Sequence, residues 1–489
     1  MELPLLPLVL DDVPAALRTA LEQEGLPLAE ARTEQPAGRF VLWDSRRKPQ
    51  ARLADGQLAV DVDQLRQSSA VDPLAALADT RSSKRGWRLG SVLAVEDVAR
   101  HDKREIRRQV VGAIRGIIET AGGVWLRISA YPYPYRSAFN FRLDHDGYQP
   151  DDFDAVLKAI EGHEHAVTHY ICASTHADQP EALERLRGFD VGSHGYWHHS
   201  YQDERQNRLN IRRGIEALRA AGIEPSGFAA PHGRYTQSLP AVLDELGVTH
   251  SSEFGLTYDE SPLTLPGRRA LQIPIHPVCL GIALEGARAD ISQMMPSDID
   301  VATLVTAHFR EVALAKHAAG EPVFLYGHPD GRLGRYPQVL RETLQTCSGL
   351  SGMWQTTHSE FARWWRARSQ ARLRVVSHGG SWKVLVDHAP AGWRMAVELW
   401  RSDQMALIPL DSPAIDVVPE SLKFEARPSP RFERGEIVRA PAGVRDRIAR
   451  YLDWERETPL AELPGRTLRE RLKRSLRRLR RQPALSTTR

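Results

Sequence analysis

Between residues 126 and 370 the chain alternates short apolar runs with helical stretches, and this alternation narrows the folds open to it more than any other feature. AVTHYICAS (166–174), FDVGSH (189–194), PSGFAAP (225–231), LQIPI (271–275) and PVFLYGH (322–328) have the length and apolar content of buried strands. Helices are expected at DDFDAVLKAIEGH (151–163), QPEALERLRG (179–188), NRLNIRRGIEALRAAG (207–222) and SLPAVLDELG (238–247). Repeated βα units bury parallel strands beneath helices and bring polar groups together at the strand C-terminal ends. The expected class is therefore α/β, with a parallel sheet or barrel at its centre.

A length of 489 residues leaves room for two or three cores, and a chain that is 42% hydrophobic and 26% charged can fill them. Residues 1–125 read as a small α/β domain whose role is not legible. DVPAALRTALEQEG (12–25) has helical spacing with Gly25 as a stop, and FVLWD (40–44) is a strand-type run. KREIRRQVVGAIRGIIETAGG (103–123) predicts an amphipathic helix with Ile106, Val110, Ile114 and Ile117 in one stripe and Gly122 at its end. No phosphate loop, metal cluster or nucleophile elbow stands out there. Residues 126–370 form the βα unit, and 371–425 alternate apolar residues between Gly and Pro turns, as a small β-rich domain would. The remainder, 426–489, reads as a linker followed by a basic amphipathic helix.

That helix accounts for the charge. Residues 466–481 hold nine Arg/Lys against one Glu, about +8, so a net charge of +3 leaves the rest near −5. The body is not a nucleic-acid-type surface. Leu468, Leu472, Leu476 and Leu479 give residues 465–482 a narrow apolar stripe under cations, which suits an anionic membrane surface. A solvated tail or a non-specific nucleic-acid patch are the other readings of the same run. Cys172, Cys279 and Cys347 are far apart and form no CxxC pair, which fits a reducing compartment and argues against cysteine-ligated zinc. The opening MELPLLPLVLDDVP lacks a basic segment and is interrupted by Asp11 and Asp12, which argues against a signal peptide. The cytoplasm is the expected compartment, with peripheral contact at the inner membrane face.

Three clusters carry chemistry. In Asp144-His145-Asp146 the carboxylates lie two residues apart on a strand end, so they point the same way; one can hold a cation while the other takes a proton from water. Taken alone, the cluster also fits an Asp-rich turn before Gly147 or a surface Ca²⁺ loop. In His194-Gly195-Tyr196-Trp197-His198-His199, histidines four apart can share one face of a helical turn and bind one metal, with His199 as a decoy or a supporting donor. One Asp with two imidazoles is a donor set that leaves metal positions open, as catalysis requires and a purely structural site does not. His328 in FLYGHPDG sits just past a strand, placed to protonate a leaving amine; a solvent-facing turn histidine would look the same. The N–H following His198, or one near Tyr196, is a candidate oxyanion donor. Trp364, Trp365, Trp382 and Trp393 fit either a sugar-stacking surface or a core.

In order, LDHD (143–146), SHGYWH (193–198), FAAPHG (228–233) and LYGH (325–328) resemble the motifs of the polysaccharide deacetylases, carbohydrate esterase family 4. The resemblance covers about half of the chain. It implies a distorted (β/α)₇ barrel, Asp144 as catalytic base, His328 as catalytic acid, and Asp146, His194 and His198 as ligands of a divalent ion, zinc first and Mn, Co or Ni as alternatives. Two departures stand out. His145 separates aspartates that are usually adjacent, and Ala229 stands where the family has an Arg that braces the base, which shifts that role to Arg234. Both departures, together with QIPI (272–275), are similar to the branch that deformylates undecaprenyl-phosphate-linked formamido-arabinose.

The resulting expectation is a metal-dependent hydrolase that removes an N-acetyl or N-formyl group from an amino sugar of an envelope glycan or lipid-linked precursor. Its rivals are a glycan-binding pseudoenzyme that lost turnover with the missing Arg, and an anionic-surface binding protein whose barrel is scaffold. For the tail, deletion of residues 465–489 is expected to reduce co-sedimentation with anionic vesicles at least severalfold; unchanged binding would remove the membrane from the account.

Overall fold

The computed structural model describes residues 8–31, 40–67, 71–90, 92–289, 300–378, 381–389 and 391–427, together with positions 444, 448, 451–453, 468, 471, 472 and 475. Most of the expected basic helix at 465–482 lies outside the described residues.

At the N-terminal end, β1 (Leu8–Asp11) lies between β2 (Leu28–Glu30) and β3 (Phe40–Trp43), which pairs with β4 (Leu58–Asp61), all parallel. Parallel neighbours need covering helices. These are α1 (Ala15–Glu24), which ends on a left-handed Gly25 as expected, α2 (Asp63–Gln67) and α3 (Pro73–Ala78), capped by the Asp72 carboxylate. The next element is an antiparallel hairpin, β5 (Ser82–Leu89) and β6 (Val92–Ala99). Its Trp87, Leu89, Val92, Ala94 and Val98 belong to the core of the following barrel, not to the N-terminal sheet. α4 (Lys103–Thr120) returns to that sheet and buries Val110, Val111, Ile114 and Ile118 against it. The buried stripe is rotated from the expected one, since Ile106 and Ile117 lie at its edge, only partly covered. β7 (Trp125–Ile128) follows.

The central unit runs β8 (Ser137–His145), α5 (Pro150–Ile160), β9 (Val167–Ile171), α6 (Ala173–His176), α7 (Pro180–Arg185), β10 (Asp190–Ser193), α8 (Glu204–Ala220), β11 (Phe228–Ala229), α9 (Leu239–Glu245), β12 (His250–Ser252), β13 (Leu263–Thr264) and β14 (Leu271–Gln272). It continues through α10 (Leu280–Ala289), α11 (Val301–Ala319), β15 (Val323–Gly327), α12 (Pro337–Ser348), β16 (Met353–Gln355) and α13 (His358–Gln370). Seven strands pair in parallel in the order β14-β12-β11-β10-β9-β8-β15; β13 adds an antiparallel edge and β16 pairs with the foot of β8. The sheet curls, and the segment after β14 bridges its open seam: Ile273 N–H donates to Ser251 C=O and His276 N–H to Phe324 C=O, each at 2.8 Å. The βα alternation implied a parallel sheet or barrel, and the curled sheet agrees with the distorted barrel that the family resemblance implied.

Along β8 the two-residue period sorts side chains by face. Phe139, Phe141 and Leu143 are fully buried, and Phe141 meets Phe309 of α11 outside the barrel. Arg142 instead spans the interior, reaching Ser252 on β12 and lying between the rings of Tyr170 and Tyr326.

The C-terminal β-rich segment forms two sheets. β17 (Arg372–His378), β18 (Ser381–Asp387) and β21 (Ala414–Val417) make one; β19 (Met395–Arg401), β20 (Gln404–Leu410) and β22 (Glu425–Ala426) make the other. The second takes its edge strand from β7, so residues on both sides of the barrel share one sheet. Trp364 and Trp365 sit in the barrel core and Trp382 and Trp393 pack against it, which suits support rather than sugar stacking. Among the described residues no helix is long and apolar enough to cross a membrane.

A buried ion network joins these units. Glu24 at the end of α1 pairs with Arg107 of α4 and Arg127 of β7; Arg107 also reaches Glu260 of the barrel and Arg127 reaches Glu398 of β19, both at 2.8 Å. Removing one partner of a buried pair leaves a charge uncompensated. Glu24→Gln is expected to cost about 3 kcal/mol of stability, read as a lower denaturation midpoint; a change within experimental error would show that the network holds nothing together.

Candidate metal centre

Asp144 ends β8 and Asp146 follows two residues on, so both carboxylates face the barrel mouth. His145 turns the other way, packing near Phe153 and His176 and meeting His169 at 3.0 Å. The histidine that separates the aspartates therefore leaves their common face intact.

Asp146 Oδ1 lies 3.2 Å from His194 Nε2 and 3.1 Å from His198 Nε2. The donor atoms of the three residues all fall within 4.8 Å of one another. His194 Nδ1 is 2.9 Å from the Ala229 carbonyl, which can only accept, so that nitrogen carries a proton, and whenever the ring is neutral its lone pair is at Nε2. Asp146 Oδ1 and His194 Nε2 are both buried, and neither makes a hydrogen bond. Two lone pairs facing each other at this range repel unless a cation sits between them. The residues thus fit a divalent ion, with a backbone carbonyl fixing the ligand's tautomer from behind. The side chains of Asp146 and His198 remain 23% and 21% exposed while that of His194 is 1% exposed, so the cluster opens on one side only.

The histidine pair does not ride a helical turn. Residues 194–203 form an irregular loop between β10 and α8. Gly195 has φ +84, and a Cβ there would meet Asn210 Nδ2 at 2.8 Å, so the turn requires glycine. Asn210 on α8 holds the loop: its Oδ1 accepts from Trp197 N–H at 2.7 Å, and its Nδ2 donates to the Trp197 and His199 carbonyls at 3.1 and 2.9 Å. Both backbone N–H groups expected to be oxyanion donors are committed. Tyr196 N–H donates to Asn210 C=O at 3.1 Å and His199 N–H to Trp197 C=O at 2.7 Å. The loop's own closure uses them.

Asp144 stands beside the cluster, its Oδ2 3.9 Å from His194 Nε2. Its bracing cation is Arg142, two residues upstream, and no described contact joins it to Arg234. Arg142 Nε donates to Oδ1 at 2.6 Å, Nη2 closes the fork on Oδ2, and Nη1 donates to Ser252 C=O and Oγ at 2.9 and 3.0 Å. Position 142 shares the interior face of β8 with 144, so this strand supplies the charge that Ala229 lacks. Burial would raise the Asp144 carboxyl, but Arg142 and then His194 outweigh it and keep it below the ordinary carboxylate range. Burial opposes ionisation of Asp146 too, yet His328 and His198 hold it well below its usual value.

His328 follows β15 and places Nε2 3.4 Å from Asp146 Oδ2. Burial pushes its imidazole down to about 4, against the pull of Asp146. Its Nδ1 faces Cys279 Sγ at 3.8 Å. The ring of His232, in the APHG turn, stands 4.5 Å from that of His198. Asp144, Asp146, His194, His198 and His328 are thus brought together, while no described contact joins Arg234 to them. Arg142, Asn210 and His232 escaped the sequence reading; the two-residue period of β8 could have signalled Arg142, but nothing local signals Asn210.

The polysaccharide deacetylase family model matches residues 144–251, a span that holds both aspartates and the histidine pair but ends before His328. Among solved structures, a Mycobacterium smegmatis protein described as a polysaccharide deacetylase is 20% identical, over 51% of this chain and 96% of that one, with a TM-score of 0.41. A Pseudomonas aeruginosa PAO1 protein so described is 18% identical over 47% and 91%, with a TM-score of 0.39. A family 4 carbohydrate esterase from Streptomyces lividans, solved with acetate, is 16% identical over 46% and 93%, with a TM-score of 0.31. No curated protein matches.

His198→Ala is expected to abolish stoichiometric binding of a divalent metal, measured at saturating metal and corrected for the free ion, whereas His199→Ala still reaches one equivalent there. Loss in the second variant would mean that the neighbouring imidazole is the ligand.

Proposed function

We propose that this chain is a divalent-metal hydrolase that removes an N-acetyl or N-formyl group from an amino sugar of an envelope glycan or a lipid-linked precursor. The observation that carries the reading is the meeting of unpartnered lone pairs from Asp146 and His194, with His198, beside a second carboxylate held ionised by Arg142.

An amide is a poor electrophile and water a poor nucleophile at neutral pH. Asp146, His194 and His198 would hold a divalent ion, which would lower the pKa of water and polarise the acyl oxygen, several kcal/mol of assistance. Asp144 takes the water's proton. Arg142 occupies one direction at each of its oxygens, which leaves further lone pairs on Oδ2, 3.9 Å from His194 Nε2. The fork fixes the carboxylate plane and keeps it charged. His328 follows β15, the strand that pairs directly with β8, and delivers a proton to the departing nitrogen. Each proton transfer contributes roughly 10²–10⁴-fold.

The rival reading, a glycan-binding pseudoenzyme, drew its motive from the Arg missing at 229. Arg142 supplies a bidentate cation to the same carboxylate, which removes that motive. A lipid-linked substrate handled at the inner membrane face would also give the basic stretch 465–482 a purpose.

The test is release of acetate or formate from N-acylated amino-sugar oligomers and lipid-linked sugars, with and without chelator. Asp144→Asn is expected to keep the metal and lower kcat by about 10²–10⁴-fold. Bound metal with no turnover on any N-acyl sugar would favour the binding-protein reading instead.

A further inference from the structure

The loop that carries His198 is clamped by a residue far down the chain. Asp453, 254 positions beyond His199, is 5% exposed and places Oδ1 3.1 Å from His199 Nε2. Its Oδ2 accepts N–H groups from Gln202 at 2.8 Å and from Asp203 at 3.3 Å. Leu452 beside it is also 5% exposed, and Asp453 takes a φ of +51, which L residues rarely adopt. A buried carboxylate with three partners, held in an uncommon backbone conformation, is a specific docking contact.

The contact matters because of where it falls. His199 directly follows the proposed ligand His198, and its ring packs edge-on against Tyr201 at 4.6 Å. Asn210 secures the loop on the α8 side through the carbonyls of Trp197 and His199. Asp453 secures the other side, bridging the ring of residue 199 to the backbone of residues 202 and 203, where Asp203 caps α8. The two anchors hold the backbone on either side of His198, at residues 197 and 199 and at 202 and 203. Without Asp453, the N–H groups of 202 and 203 and the ring of 199 must find other partners, and the loop relaxes.

We infer that Asp453 is a positioning residue for the metal centre, acting through His199, so that this residue is an integral part of the site. This rests on the reading of Asp146, His194 and His198 as metal ligands. Removal of such an outer partner typically weakens metal affinity 10–100-fold.

The experiment uses the full-length chain stripped of metal and titrated with Co²⁺, followed by visible absorption against a competing chelator. Asp453→Ala is expected to raise the Co²⁺ Kd about 10–100-fold, His199→Ala to do the same, and the double variant to be no weaker than either single one. Melting of the metal-free forms is recorded in parallel, because a merely structural contact would lower Tm and leave the Co²⁺ Kd where it was. Wild-type affinity in both single variants, or additive losses in the double, overturns the inference. If Asp453→Ala does not fold, His199→Ala decides alone, since it removes the same contact from the other end. Failure of the metal reading looks different: the wild-type chain and His198→Ala would then take up Co²⁺ equally or not at all, and the inference would fall with it.

Discussion

A guanidinium with no access to water lies across the middle of the barrel and must be neutralised there. Arg142 meets this need with a two-pronged bond to Asp144, a further pair of bonds to Ser252 on the far strand, and two tyrosine rings above and below. Burying such a pair is expensive, and apolar filling would stabilise a barrel as well or better. What the pair provides is orientation. It ties three strands to β8, and it holds a carboxylate charged at the place where the proposed reaction would use a base.

Around that fixed carboxylate the remaining groups come from segments that share no local logic. His194 leaves the end of β10 with its tautomer set by the carbonyl of Ala229, the residue that in the resembling family would be an arginine. At this position it is the backbone that serves the site. His198 depends on a loop with no regular structure of its own, braced from α8 by Asn210. Such a loop spends its backbone hydrogen bonds on its own closure, which is why Tyr196 and His199 have no free N–H to offer an oxyanion.

The flanking units are also less separate than their composition suggests. The 82–99 hairpin fills the barrel core, β7 lies at the edge of a sheet whose other members come after the barrel, and Glu24 joins the N-terminal helix to Arg107 and Arg127. Arg368 of α13 adds bonds to the carbonyls of Gln23, Ile128 and Ser129, at 3.3, 3.0 and 2.9 Å. A barrel held on two sides in this way presents a rigid floor to its open mouth, and a mobile floor would blur the geometry of a metal site.

Short apolar runs spaced by amphipathic helices sufficed to foresee a curled parallel sheet, because burial on both faces leaves a period that local composition records. The Asp144–Asp146 pair was equally legible, since the side-chain period of a strand is two whatever surrounds it. The histidine pair was legible as residues but not as geometry: a spacing of four suggested a helical turn, while Gly195 and Asn210 impose a loop. Arg234 was chosen for its nearness in sequence to a missing side chain, and Arg142 holds the place because it shares a strand face with its partner. Asp453 lay beyond any such reading. Local sequence determines which face a side chain occupies within one element, because that depends on backbone periodicity alone; which side chain answers a buried charge, or clamps a distant loop, is decided only when remote segments pack and compete for the same few unsatisfied atoms.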